Sequence, residues 1–355
     1  MKKNFVLTFQ IAAVFIGTIV GAGLASGEEI TLFFTKYGYR SFYGIIICFL
    51  IYIFMGFFII RISTQYKLSS YNEFIKIISP GFLGLIIDKM TGLFLLCGAS
   101  IILAGSGALF HQYFNVSKWF GIILMLFVSL ITLMRNTDGL IEVNSFIVPT
   151  LVTIITTIFV LYIFFSKDVA NSNYIKSIPN FKTHWFISCL LYAGFNIISC
   201  SGVLVPLSSE IKKRNILEWG VLIGATVLTI IAFMINLMLI LNVPYIFKYD
   251  IPLLYIANRF GFLIQLLLLG VMWLEMFSTE VSDIYSLGKT LSHVFGISYR
   301  KSVIIILLLA IPISQIGFVT LINYIYPVFG AISIVFMIQC VIFYYKNKKQ
   351  LKIKN

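Results

Sequence analysis

Apolar residues run along this chain in long uninterrupted blocks, broken by short polar connectors. About 20 apolar residues are needed to cross the hydrocarbon core of a bilayer. By that measure ten spans are predicted, at approximately 5–35, 41–61, 84–113, 118–134, 143–165, 185–209, 219–241, 259–287, 302–316 and 318–345. The longest connectors are about 62–83, 166–184 and 242–258. Nothing is left over for a soluble domain, so 1–355 reads as a single polytopic, all-α membrane domain.

Two of the spans carry a pattern that a plain lipid-crossing helix does not need. The first reads "FIGTIVGAGLASGEEITLFF", with Gly17, Gly21, Gly23 and Gly27 followed at once by Glu28 and Glu29. Each glycine weakens a helix. The sixth reads "YAGFNIISCSGVLVPLSSEI" and crowds Gly194, Asn196, Ser199, Ser201, Gly202, Pro206, Ser208 and Ser209 into one segment. An offset of 181 residues aligns Ala12 with Ala193, Ile16 with Ile197, Gly21 with Gly202, Glu29 with Glu210 and Ile30 with Ile211, and sets Thr18 against Ser199. Both segments are therefore expected to be interrupted helices. The same small residues would also suit close packing of continuous helices. Five spans separate the two, so they cross the membrane in opposite directions. The expected architecture is ten transmembrane helices in two inverted five-helix repeats, about 5–165 and 185–345, with helices 1 and 6 broken. That is the signature of LeuT-type transporters.

Composition agrees. The chain is 60% hydrophobic and 11% charged, against about 25% charged in soluble domains. The net charge of +13 could suggest nucleic acid, but the basic residues cluster in connectors, as at a membrane surface. With both termini cytoplasmic, 18 of the 26 Lys and Arg fall inside and 8 outside, in keeping with the positive-inside rule. A cell-membrane location follows, with the bilayer and a small-molecule substrate as partners and no nucleic acid. The five cysteines lie in apolar runs without metal-ligand spacing, and His111, His184 and His293 lie at predicted span ends. With no Gly-x-Ser-x-Gly or Walker motif, an enzyme is not expected, no cofactor is expected beyond a coupling ion, and any transport must be secondary.

At a break, freed backbone dipoles can hold a solute, and such backbone is tolerable only where it lines a cavity or is buried in protein. Taking an amino acid as test ligand, the carboxylate is placed near the amides of Gly21, Ala22 and Gly23. The ammonium is placed near carbonyls around Gly17 and Thr18, or around Asn196 to Ser199, with Gly202 also at the second break. Span three, "CGASIILAGSG", offers Gly98, Ser100, Gly105 and Ser106 for contact or for packing. Span eight, "WLEMFSTEVSDIYSLG", places Glu275 near mid-span, where a charge must face the bundle interior. Glu280 and Asp283 are read nearer the cytoplasmic end. Proton coupling through Glu275 or Glu280 stays open. Glu28 and Glu29 are read as outer-vestibule residues. Glu210 is read as a gate near the inner face, beside Lys212, Lys213 and Arg214.

The motif "GTIVGAGLASGEEI" with the ten-span layout resembles the YkvI-like membrane proteins of the amino acid–polyamine–organocation superfamily. That resemblance implies secondary transport of a small amino acid or related amine or zwitterion, by alternating access and coupled to Na+ or H+. In sodium-coupled members of the fold a Ser/Thr pair on span eight faces carbonyls of the unwound first span. Carried over, this makes Gly17, Val20, Ser278 and Thr279 a candidate Na+ site, unless those hydroxyls bond back to their own helix. The lysine that replaces the ion in some relatives has no counterpart in span five, "VNSFIVPTLVTIITTIFVLYIFF". The alternative is a nutrient sensor of the spore-germination-receptor type, which binds a ligand without net transport.

Overall fold

The computed structural model describes residues 2–165, 179–249 and 251–348. The connector carrying Lys167 and Lys176, and the tail lysines Lys349, Lys352 and Lys354, lie outside the described residues. Among those described there are helices and no strand. The first span is three pieces: α1 (Lys2–Ile19), α2 (Ala22–Ser26) and α3 (Glu28–Phe33). There follow α4 (Arg40–Tyr66), α5 (Tyr71–Ile78), α6 (Phe82–Phe114), α7 (Lys118–Leu133) and α8 (Asn136–Phe165). The second half contains α9 (Trp185–Ile211), α10 (Arg214–Ile240), α11 (Pro252–Ala257), α12 (Phe262–Phe295), α13 (Tyr299–Ser314) and α14 (Phe318–Lys346). Among the described residues, six helices are long and apolar enough to cross a membrane: α4, α8, α9, α10, α12 and, over Phe82–His111, α6.

The packing of the two halves follows one scheme. Helix α1 lies on α10, and α9 lies on α4. Helix α1 also meets α8 as α9 meets α14, and α8 meets α12 as α14 meets α6. The helices α6 and α12 pack on each other at the centre. Small residues set the closest approaches. A Cβ on Gly220 would lie 2.7 Å from Ile11 Cβ, and one on Gly224 would lie 2.9 Å from Phe15 Cδ1 and 3.0 Å from the Ala12 carbonyl. Four residues apart, these two glycines share one face of α10 and let α1 close on it, as small residues do between membrane helices. Gly224→Val should therefore cost about 1–3 kcal/mol by overpacking. The check is thermal unfolding, with Gly270→Val, a position with open space around it, as the near-neutral control.

The sixth span corrects the sequence reading. Trp185–Ile211 is one unbroken helix, and Pro206 lies inside it. Several of its polar side chains turn back onto their own helix: Ser201 donates to the Ile198 carbonyl (2.7 Å), Ser208 to Leu204 (2.6 Å) and Asn196 Nδ2 to Tyr192 (3.0 Å), Asn196 also reaching Tyr52 of α4 (3.1 Å). Its glycines serve contact. A Cβ on Gly202 would lie 2.6 Å from Ser286 Cβ, and one on Gly194 would lie 2.8 Å from Ser333 Cβ. The small-residue pattern in this segment encodes helix packing.

The short α5 closes one end of the bundle against α6, α9 and α12. It begins at a reciprocal cap: Ser70 Oγ accepts from the Glu73 amide (3.4 Å), while Glu73 Oε2 accepts from the Ser69 amide (2.6 Å). It buries Phe74, Ile75 and Ile78.

Candidate functional site

The first span breaks where the glycines lie. Helix α1 stops at Ile19. Gly21 is extended (φ −103°, ψ −168°) and starts α2, and Gly27 (φ +82°) turns the chain into α3. The left-handed backbone at Gly27 suits a residue without a Cβ.

Helix α12 runs beside this break and supplies its hydroxyls to it. Ser278 Oγ lies 3.1 Å from the Gly17 carbonyl oxygen and 2.7 Å from Asn144 Oδ1. Thr279 Oγ1 lies 2.9 Å from the Val20 carbonyl, 3.4 Å from that of Gly17 and 3.1 Å from that of its own Glu275. Asn144 Nδ2 donates to the Leu140 carbonyl (2.8 Å), which turns Oδ1 toward Ser278. Two hydroxyl protons thus face four acceptor oxygens. A cluster of neutral carbonyl, amide and hydroxyl oxygens with more acceptors than donors is the donor set a hard monovalent cation takes. Gly17 has no room for a side chain, because a Cβ there would overlap both Asn144 and Ser278.

Next to this cluster is a cavity of about 60 Å³. From the break it is lined by Thr18, Ile19, Gly21, Gly23 and Glu29, and from α6 by Phe94, Gly98, Ile101 and Ile102. Phe195, Asn196 and Ser199 line it from α9, and Thr279 and Asp283 from α12. The structure brings Thr18, Gly21, Gly23, Asn196 and Ser199 together around this cavity, with Gly17, Val20, Ser278 and Thr279 beside them. Gly202 lies away from the cavity, against Ser286, and Ala22 is not part of the lining.

The acidic residues are redistributed. Glu29 is only 7% exposed and lines the cavity, not a hydrated vestibule. Asp283, 6% exposed, lines it too and accepts a hydrogen bond from Ser199 (3.1 Å). Glu275 and Glu280 are fully buried outside the lining, and none of their carboxylate oxygens has a hydrogen-bond partner. Glu210 pairs with Lys289 of α12 at 2.7 Å, instead of with the basic run beside it. Arg61 and Arg214 both bind Glu218 (2.7 and 2.8 Å), and His293 meets Glu73 at 2.8 Å. All of these residues belong to the side that the charge distribution assigns to the cytoplasm.

Sequence reasoning missed Asn144, Asp283 as a lining group, and the rings of Phe94 and Phe195. Asn144 had a usable signal, since it is a lone amide near the start of an apolar span.

No family model matches the chain. Among solved structures, MhsT in complex with L-phenylalanine gives a TM-score of 0.68 at 14% identity, over 95% of this chain and 87% of that one. A Na+-coupled sialic acid symporter gives 0.65 at 14%, over 94% and 78%. Mhp1, a nucleobase-cation-symport-1 family transporter with bromovinylhydantoin bound, gives 0.61 at 12%, over 98% and 81%. These likenesses show the LeuT-type transporter fold. In sequence, the chain is 23% identical over 329 residues to YyaD of Bacillus subtilis (strain 168), over 93% of this chain and 94% of that one. It is 31% identical over 328 residues to the membrane protein YkvI of the same organism, over 92% of this chain and 93% of that one. With that identity along nearly the whole of both chains, this protein belongs to the YkvI family of membrane proteins.

Proposed function

We propose that the chain is a secondary active transporter of a small amino acid or related amine or zwitterion in the cell membrane, driven by Na+. The observation that carries this reading is the meeting of the Gly17 and Val20 carbonyls with Ser278, Thr279 and Asn144 beside a cavity. A cation held there ties the two pieces of the broken first span to α12, so its binding and the closure of the cavity are coupled. The two-fold scheme of helix contacts supports the inverted-repeat architecture of ten spans, and the 18-to-8 split of basic residues supports cytoplasmic termini. Titration of Glu275 or Glu280 is the proton-driven version of the same mechanism.

The ion pairs Lys289–Glu210 and Arg61–Glu218–Arg214 then form the closed inner gate. Lys289 also lies over the rings of Tyr285 (5.3 Å) and Tyr299 (5.5 Å), which adds cation–π attraction. Lys289→Ala should increase thiol labelling of a cysteine placed at Ser199 by a reagent added from the cytoplasmic side. Unchanged labelling would remove this pair from the gate.

The direct test of the cation site is the melting temperature of purified protein in NaCl against KCl and choline chloride. A ligand that binds the folded state raises that temperature. A sodium-specific rise is expected; equal melting in all three salts would reject the site.

A further inference from the structure

The cavity's own charges point to the solute. Two carboxylate side chains line it, Glu29 and Asp283, each more than nine-tenths buried. No Lys, Arg or His is among the described residues of the lining. The hydroxyl of Tyr192 is the neutral hydrogen-bonding neighbour of the Glu29 carboxylate, and Oε1 of Glu29 lies against the bare Cα of Gly23. Asp283 receives a hydrogen bond from Ser199 at Oδ1, and its Oδ2 lies against Gly98, where a Cβ would overlap it. Buried carboxylates without a basic partner are costly unless they take up a proton or a cation joins them.

A zwitterion fits this arrangement poorly. The ammonium-binding carbonyls expected from a broken sixth span stay engaged in an intact helix. The Gly17 carbonyl is engaged by Ser278 and Thr279. At the other pole, the carboxylate of Glu29 already sits against Gly23, beside the amides where a substrate carboxylate would go. An amino acid would bring a third carboxylate into a small space already lined by two, where like charges repel. The remaining wall combines the neutral polar side chains Thr18, Asn196, Ser199 and Thr279 with an apolar part, Ile19, Ile101 and Ile102, and the rings of Phe94 and Phe195, 6.4 Å apart. Such rings attract a cation through their faces and pack against a short hydrocarbon body.

We infer that the cavity binds an organic ammonium ion lacking a carboxylate, a mono- or diamine with a short apolar body. Glu29 and Asp283 accept its N–H groups, and Phe94 and Phe195 hold its hydrocarbon part. This rests on reading the cavity as the solute site.

The test is isothermal titration of the full chain in lipid nanodiscs with two matched pairs of probes: putrescine against ornithine, and isobutylamine against valine. Within each pair the partners differ by one carboxylate. The amines are expected to bind about tenfold or more tightly than their carboxylated partners. Glu29→Gln and Asp283→Asn should each weaken amine binding by about tenfold, the scale of one charge-assisted hydrogen bond, while the sodium-dependent rise in melting temperature persists. Ornithine and valine binding as well as the amines, no amine binding, or Mn2+ binding in place of the amines would each overturn the assignment. The wild-type series stands even if a variant fails to fold. Amine binding without uptake into proteoliposomes would refute the transporter reading and leave this one standing. Valine-driven uptake with inert amines would do the reverse.

Discussion

Replacing Ser278 by Ala together with Thr279 by Val should raise the sodium concentration needed for half-maximal stabilisation on the order of a hundredfold. Each change removes one hydroxyl oxygen that meets the carbonyls of the broken first span. A hydrogen bond or ligand contact to a charged group contributes about 1.5–3 kcal/mol, which corresponds to roughly ten- to a hundredfold in affinity for each oxygen lost. Neither substitution enlarges the side chain, so the packing of α12 on α1 should survive, while the lost hydrogen bonds to the Gly17 and Val20 carbonyls should lower the sodium-free stability by about 1–3 kcal/mol. Melting curves across a sodium titration read both quantities. A variant that melts normally and responds to sodium like the wild type would exclude these hydroxyls from a cation site. Gly17→Ala should have a similar consequence for a different reason, because its methyl group would overlap Asn144 and Ser278.

Gly21→Leu should abolish solute binding and leave a folded protein. Gly21 lines the cavity, and a Cβ there would meet nothing closer than Thr279 Oγ1 at 3.5 Å. Its φ is negative, so a side chain is allowed by the backbone. Alanine should therefore fit with a modest loss. Leucine adds three further carbons that have only the roughly 60 Å³ cavity to enter, displacing the solute from a site whose walls are otherwise closely packed. Binding should fall below detection for Gly21→Leu and persist for Gly21→Ala, with both proteins eluting as single species. Wild-type affinity in the leucine variant would remove the break from the binding site.

The break around Gly21 was legible in the sequence because its signal is local. A run of glycines followed by two acidic residues in an apolar span marks a segment that cannot stay a plain helix, and the chain breaks at Val20–Gly21 and turns again at Gly27. The Ser278–Thr279 pair could be placed only with the help of a family resemblance, since hydroxyls at that spacing equally well bond back to their own helix. Thr279 in fact does both, with the Glu275 carbonyl at 3.1 Å and that of Val20 at 2.9 Å.

The sixth span shows where local pattern fails. Glycine, serine and proline in a membrane segment fit a break or a close contact equally well, and only the neighbour decides. Here Ser286 and Ser333 approach Gly202 and Gly194 so closely that packing accounts for both glycines. Pro206 is accommodated within the helix, as prolines often are between membrane helices. Glu29 and Asp283 were misplaced for a related reason. Position along a span gives depth, whereas the direction a carboxylate faces depends on where α3 folds back after Gly27 and on how α12 is rotated. Asn144, from a span that looked merely apolar, enters the oxygen cluster because α1, α8 and α12 pack on one another. The pairing of Glu210 with Lys289, 79 residues away, is likewise a product of the assembled bundle.

The coupling of cation and solute is tested most directly by the entry of radioactive sodium into proteoliposomes containing the purified protein. The inside is free of sodium, and a mixture of amines and amino acids is added outside. Sodium entry should be slow without the mixture, rise when it is added, and lose that rise in the Ser278→Ala/Thr279→Val variant. Sodium entry that ignores the added solutes, or none under any gradient while solute still binds, would contradict a sodium-coupled transporter.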